Sequence, residues 1–309
     1  MSSNTVVFII SSSRSGSTIL DLALGSNENC FSVGELNTFN EEVLNDKWCT
    51  CGSRYSACGF LSDVCKCLKH NGIDVADLNQ TFRLQQNSRN LLGKVQTLYS
   101  IASVIGSIPE WVRNNEIMYE AIFETCGKKI IIDSSKDIVR ALQISRRSAR
   151  YNYKIIHLVR DVRAICHSNK KTSYIIKHPP DYIPHEYASK QIVNVEQTTK
   201  EWKNYNNKIM TLMRLFIDEN SRLLIRYEDI TGGPQTTLND ICTWLGIVYS
   251  DKMIHFGNVV HHNVGGNRSR FNSSRIENIA EKWSQMLTDD EIVFCNNNAK
   301  RLLNKFHYL

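Results

Sequence analysis

Val6-Val7-Phe8-Ile9-Ile10 runs straight into Ser11-Ser12-Ser13-Arg14-Ser15-Gly16-Ser17-Thr18, and this junction decides the fold. A short β-branched apolar run is the pattern of an interior strand of a parallel sheet. Ile19-Leu20-Asp21-Leu22-Ala23-Leu24 then carries helical spacing up to Gly25. Strand, small-residue loop and helix start together make an anion site, because first-turn amides have no intrahelical partner and lie at the positive end of the helix dipole. When Gly16 and Thr18 are set on the last Gly and the hydroxyl of the G-x-x-x-x-G-K-[ST] loop, Ser11 replaces its first Gly and Ser17 replaces its Lys. The cation that an ATPase or kinase uses is therefore missing. The loop's positive side chain is Arg14, placed to face an anhydride rather than a γ-phosphate with magnesium.

Three further runs repeat the strand pattern, Lys129–Asp133, Lys154–Val159 and Arg222–Arg226, each followed by polar or small residues and then helical spacing. This is the βα rhythm of a parallel sheet covered on both faces. The predicted fold is α/β, a P-loop-like three-layer domain over residues 1–309 with a helical substrate-binding insertion at about 36–128. Helical spacing covers Leu78–Ile105 and Ile108–Cys126, and another such stretch runs from Glu186 to Asp218. His178-Pro179-Pro180 must be a loop. The tail reads as irregular from Ile254 to Ile276 and helical beyond. In such sheets ligands bind outside the carboxyl ends of the strands, so the residues just after each strand are the candidates for chemistry.

Net charge is +6, with no block of like charges, which suits a small polyanionic ligand and speaks against the clustered basic tract of a nucleic-acid binder. The first strand begins at about Thr5, leaving no room for a signal peptide ahead of it, and no apolar run reaches transmembrane length. A soluble, cytoplasmic protein with no membrane partner is expected. The 10 cysteines, in a chain this long without an export signal, read as mostly reduced. Five of them, Cys49, Cys51, Cys58, Cys65 and Cys67, fall close together. The Cys49-x-Cys51 and Cys65-x-Cys67 pairs are spaced more tightly than the ligand pairs of structural zinc sites, which favours simple buried thiols first, a redox-formed bridge next and a metal last. His261-His262, with His255 nearby, lack an acidic ligand at a familiar spacing and read as exposed loop histidines.

After the third predicted strand, Arg160 leaves the strand end and Ser168 follows about two helical turns later, so a guanidinium and a hydroxyl can converge on one phosphate. Taken with the first loop, this order of motifs resembles the sulfotransferases that use 3′-phosphoadenosine-5′-phosphosulfate (PAPS). Their phosphosulfate loops include R-S-G-[ST]-T, and an Arg and a Ser eight positions apart grip the 3′-phosphate. The resemblance implies that Arg14, Ser15, Gly16, Ser17 and Thr18 bind the 5′-phosphosulfate and that Arg160 and Ser168 bind the 3′-phosphate. Asp133-Ser134-Ser135-Lys136 lies where some cytosolic members place a catalytic His. That His is absent here, and Lys136 is cast as an electrostatic partner of the sulfuryl group or bridging oxygen, while Asp133 is either a member of the site or only a capping acid. Glu35, in Gly34-Glu35-Leu36, resembles the catalytic Glu of tyrosylprotein sulfotransferases and is the candidate base; the alternative is the N-cap or first-turn acid of the next helix. Arg226-Tyr227-Glu228-Asp229 resembles the family's Y-E-D segment, whose Tyr lies beside adenine. Gly265-Gly266-Asn267-Arg268-Ser269-Arg270 resembles the late basic loop that closes over the 3′-phosphate, with Gly266, Asn267, Arg268 and Arg270 as donor-binding candidates.

The expected activity is therefore sulfuryl transfer from PAPS, with no metal, to a hydroxyl or an amine or carbamoyl nitrogen of a small-molecule acceptor, releasing adenosine 3′,5′-bisphosphate. Glu110, Trp111, Glu116, Tyr119 and Glu120 in the insertion suit a cationic acceptor, and cyanobacterial sulfotransferases of saxitoxin-type guanidinium alkaloids are one natural-product family the chain resembles. A carbohydrate or lipid acceptor, a P-loop small-molecule kinase and a non-catalytic nucleotide-binding protein are the alternatives.

Overall fold

A computed structural model describes residues 4–78, 101, 108–170, 194–277 and 282–309. The helical expectation for 79–100 and 102–105, the His178-Pro179-Pro180 turn and the start of the Glu186–Asp218 stretch lie outside them. Five parallel strands, β1 (Thr5–Ile10), β2 (Cys30–Gly34), β3 (Ile130–Asp133), β4 (Asn152–Val159) and β5 (Arg222–Arg226), form one sheet in the order β2-β3-β1-β4-β5. Four match the predicted runs. β2 was not predicted: Cys-Phe-Ser-Val-Gly carries too short an apolar pattern to stand out beside the preceding helix, yet it forms the sheet edge against β3.

β1 is central and its side chains alternate between two cores, as the period of two requires. Val6, Phe8 and Ile10 pack on one face with Ile131 and Ile155. Val7 and Ile9 pack on the other with Ile132, Ile156 and Leu158. α1 (Ser17–Gly25) covers the second face, and its Leu20, Leu22, Ala23 and Leu24 belong to that core. The insertion begins with α2 (Phe39–Leu44) and α3 (Gly59–His70) and reaches β3 through α4 (Glu110–Cys126), which with α5 (Ile138–Arg147) packs on the first face. Then follow α6 (Val162–Lys170), α7 (Val195–Phe216), α8 (Tyr227–Gly232), α9 (Pro234–Leu245), the short α10 (Ser269–Asn272) and the terminal α11 (Asp289–Lys305). Trp202 of α7 and Leu302, Leu303 and Phe306 of the C-terminal segment form a third apolar cluster around α6.

The tail is largely irregular from Ile254 to Ile276, as expected, with short helical turns at Phe256–Asn258 and Ser269–Asn272, but one contact ties it to the sheet. Val264 bridges to Gly34 in parallel, its N–H donating to Val33 O at 3.0 Å while Glu35 N–H donates to Val264 O at 2.7 Å. This contact carries the loop after Val264 across the carboxyl end of the sheet. His261, expected to be an exposed loop residue, is buried instead, and His262 is half-buried.

Candidate active site

The carboxyl ends of β1, β2, β3 and β4 open onto one cleft of about 610 Å³, lined among others by Arg14, Gly16, Ser17, Thr18, Glu35, Lys136, Arg160, Ser168, Tyr227, Gly266 and Asn267. Residues expected to share a site, spread from Arg14 to Asn267 in sequence, thus converge on one space. Ser15 is buried beneath the loop, its hydroxyl hydrogen-bonded to that of Ser12 at 2.9 Å, and does not line the cleft. Neither do Arg268 and Arg270. The Arg270 guanidinium donates to Trp48 O at 3.0 Å and lies against Phe271, turned toward a neighbouring cavity. Of the late basic loop it is Gly266 and Asn267 that reach the cleft, with the Asn267 N–H donating to Thr18 Oγ1 at 3.3 Å.

The anion loop is built as its residues dictate. Gly16, the residue before α1, has φ +88°, and a Cβ placed there would lie 2.1 Å from Cδ2 of Tyr227, so only glycine fits. No side chain caps this helix start, leaving its first-turn amides directed at the cleft. Arg14 also takes left-handed backbone, φ +66°, and its carbonyl accepts from Arg160 Nη1 at 2.9 Å. Such geometry in a non-glycine residue persists where the surroundings impose it. The Arg160 guanidinium rests over the Tyr227 ring at 4.6 Å, while Trp202 Nε1 donates to the Arg160 carbonyl at 3.0 Å. The guanidinium and the backbone of Arg160 are thereby both held, and its Nε is buried with no hydrogen-bond partner among the described residues.

At the end of β2, Glu35 accepts from the ammonium of Lys136, which follows β3. Lys136 also has φ +63°, and its carbonyl accepts from the Tyr205 hydroxyl of α7. Behind it stands a fully buried network. Asp133 accepts from Arg140 Nη1 and from the Tyr119 hydroxyl, both at 2.7 Å, and from Ser135 N–H at 3.0 Å. Arg140 Nη2 donates on to Asn115 Oδ1 at 2.6 Å. The capping alternative for Asp133 gives way to the role of a buried counter-ion. A carboxylate and a guanidinium this far from water persist only when paired and hydrogen-bonded, and here both are. Ser135 Oγ accepts from the Asn37 N–H at 3.1 Å, tying the network to the segment after Glu35.

Glu228 and Trp283 also line the cleft. Burial pushes the Glu228 carboxyl up, against hydrogen bonds from the Tyr308 hydroxyl at 2.6 Å and the Asp161 N–H at 3.1 Å. The sequence placed Glu228 beside Tyr227 but gave Trp283 no signal. The insertion residues expected to meet an acceptor lie elsewhere. Trp111 and Tyr119 are core, Glu120 pairs with Arg150 on the outer surface, and neither Glu110 nor Glu116 lines the cleft. An adjoining cavity of about 530 Å³ shares Ser13 and Lys136 with the cleft and is lined by Asn169, Thr198, Glu201, Asn204 and Lys208.

Residues 78–251 match the model of the Sulfotransferase family, more than half of the chain, and the protein belongs to that family. Over 171 residues, 52% of this chain, it is 26% identical to carbohydrate sulfotransferase 1 of mouse, and equally so to the human protein. The aligned part spans 39% of those relatives' length. Among solved structures, the sulfotransferase domain of the Synechococcus PCC 7002 olefin synthase superposes with a TM-score of 0.50 at 18% identity, covering 96% of this chain and 95% of that one. The sulfotransferase domain of the curacin biosynthetic pathway gives 0.50 at 17%, covering 98% of both. These structures share the α/β architecture described above.

Proposed function

We propose that this chain, acting as one catalytic domain, transfers a sulfuryl group from PAPS to a hydroxyl or an amine or carbamoyl nitrogen of a small-molecule acceptor. One observation carries the reading: the uncapped start of α1, Arg14, the Arg160–Ser168 pair and the Glu35–Lys136 pair face a single cleft. The two ends of the donor fit two anion sites. Its 5′-phosphosulfate suits the amides from Gly16 to Thr18 and Arg14, while its 3′-phosphate suits Arg160 and Ser168, supplying the buried Arg160 Nε with an acceptor. Tyr227 and Trp283 offer apolar faces for the adenine.

In the transfer, the acceptor oxygen or nitrogen forms a bond to sulfur as the bond from sulfur to the bridging phosphate oxygen breaks. The acceptor proton passes to Glu35, and adenosine 3′,5′-bisphosphate leaves with the negative charge. Lys136 and Arg14 stand where that charge grows, and pre-placed donors of this kind are each worth about 2.7–4 kcal/mol of barrier. Lys136 holds Glu35 through Oε1, so the carboxylate has its other oxygen for the acceptor.

The adjoining cavity suits the acceptor, since it opens at Lys136 and carries hydrogen-bonding side chains. Asn169, Thr198, Asn204 and Lys208 beside the aromatic faces of Trp202 and Tyr205, together with the similarity to carbohydrate sulfotransferase 1, favour a sugar-like hydroxyl acceptor, with Glu201 as the acid that a guanidinium alkaloid would require. Thermal shift tests the donor: adenosine 3′,5′-bisphosphate should raise the melting temperature and ATP with magnesium should not. The reverse order would install the kinase reading. Incubation with PAPS and an acceptor panel of sugars, lipids and guanidinium alkaloids, read by mass, then identifies the acceptor.

A further inference from the structure

Three cysteines and a histidine meet at the edge of the molecule beside the late loop. Cys49, Cys51, Cys58 and His262 bring their ligand atoms within 4.8 Å of one another. Cys58 Sγ lies 3.6 Å from Cys49 Sγ, 3.7 Å from Cys51 Sγ and 3.2 Å from His262 Nδ1, and Cys49 Sγ lies 3.8 Å from His262 Nδ1. Tetrahedral zinc with bonds of about 2.3 Å to sulfur and about 2.0–2.1 Å to nitrogen holds its ligands about 3.5–3.8 Å apart. These four edges, 3.2 to 3.8 Å, are close to those of that tetrahedron, and all six lie within 4.8 Å. We propose that Cys49, Cys51, Cys58 and His262 bind one zinc ion, a structural site that fastens the insertion to the loop closing over the cleft.

The backbone around the four residues is shaped for such a site. Cys49-Thr50-Cys51-Gly52 is a tight turn between the bridged residues Trp48 and Arg54, with Cys49 N–H donating to Ser53 O at 2.9 Å and Gly52 N–H to Cys49 O at 3.0 Å. Gly52 takes φ +91°, which lets the chain reverse directly after the second sulfur. Cys58 sits at the N-terminus of α3, and the His262 ring stacks on Phe60 at 5.2 Å and Phe31 at 6.5 Å, which fixes the imidazole plane. Four protein ligands close the shell and leave no position for substrate, so the ion has a structural role. The tight Cys49-x-Cys51 spacing favoured plain thiols, and the fourth ligand, His262, lies 204 positions from Cys58 in sequence; Cys65 and Cys67 take no part.

The consequence reaches the cleft. Two residues after His262, Val264 pairs with Gly34 and accepts from the Glu35 N–H, and the Gly265 N–H donates to the Tyr55 hydroxyl between Cys51 and Cys58. Binding releases the protons of three thiols, and the energy of coordination is added to the folded state.

The test is metal content of tag-free protein by plasma mass spectrometry, read beside native thiol titration. About one zinc per chain is expected, with three thiols that become reactive only after chelation. Cobalt loaded in its place should give the visible bands of a tetrahedral thiolate complex. Cys58→Ser should lose the metal and Cys65→Ser should keep it. Should Cys58→Ser fail to fold, the cobalt spectrum of the unaltered chain decides. The proposal is overturned by protein that holds no zinc and takes up none after reduction, by an iron–sulfur cluster, by an octahedral cobalt spectrum, or by equal retention in the two variants. None of these readouts depends on donor binding or sulfuryl transfer, so the site stands or falls apart from the proposed activity.

Discussion

The Lys136 ammonium meets the Glu35 carboxylate across 101 positions of sequence, joining the ends of β2 and β3 at the floor of the cleft. One residue is the proposed base and the other the proposed cation for the leaving group, and each orients the other before substrate arrives. Glu35→Gln should leave affinity for adenosine 3′,5′-bisphosphate intact and lower kcat about 100-fold or more, the usual share of a general base. Lys136→Met should lower kcat about 100- to 1,000-fold. Steady-state rates beside calorimetric affinities check both, and near-normal turnover of Glu35→Gln would remove it as the base.

Gly16→Ala sets a Cβ against the Tyr227 ring and forces left-handed backbone on alanine. The backbone alone costs about 1–2 kcal/mol, and relieving the clash must displace Tyr227 or the loop. Melting temperature and donor affinity should fall together, and an unchanged affinity would show that the loop tolerates the shift.

Arg140→Met leaves Asp133 buried without its guanidinium. Loss of one partner of such a pair costs about 3–5 kcal/mol, which denaturant unfolding would read directly. Replacing both, as Asp133→Leu with Arg140→Met, should recover part of that loss. If the double variant is no better than the single one, the ion pair is not the source of the penalty.

His157 is buried with its ring hydrogen-bonded to Asn206 Oδ1 at 2.9 Å, and burial lowers its pKa from 6.5 to about 4. The unfolded chain then binds a proton at higher pH than the folded one. This contribution to stability is intact above about pH 6.5 and is lost as pH falls toward 4, on the order of 3 kcal/mol in all. Denaturant unfolding of the unaltered chain and of His157→Gln between pH 7 and pH 4 checks the sign. The variant should lose less stability over that window, and parallel curves would contradict the assignment.

Much of the donor side was legible in the sequence because it is local: a strand end, a loop and a helix start read directly from Val6 to Leu24, and Arg160 and Ser168 share one short segment. What escaped depends on contacts between distant positions. β2 is too short and mixed to announce itself, although it carries Glu35 to the cleft. Trp111 and Tyr119 looked like acceptor residues because an aromatic helix face has the same spacing whether it lines a pocket or fills a core. Arg270 was expected on the donor, and only the fold shows its guanidinium turned onto Trp48. Likewise no spacing rule joins His262 to Cys49, Cys51 and Cys58.

The most direct test of the donor assignment is titration calorimetry of adenosine 3′,5′-bisphosphate and of AMP, which lacks the 3′-phosphate, against the unaltered chain and Arg160→Ala. Loss of a charged hydrogen bond of about 1.5–3 kcal/mol predicts that the unaltered chain prefers the bisphosphate about 10- to 100-fold and that Arg160→Ala abolishes most of that preference. Equal affinity for the two nucleotides, or a preference that survives in Arg160→Ala, would contradict the account.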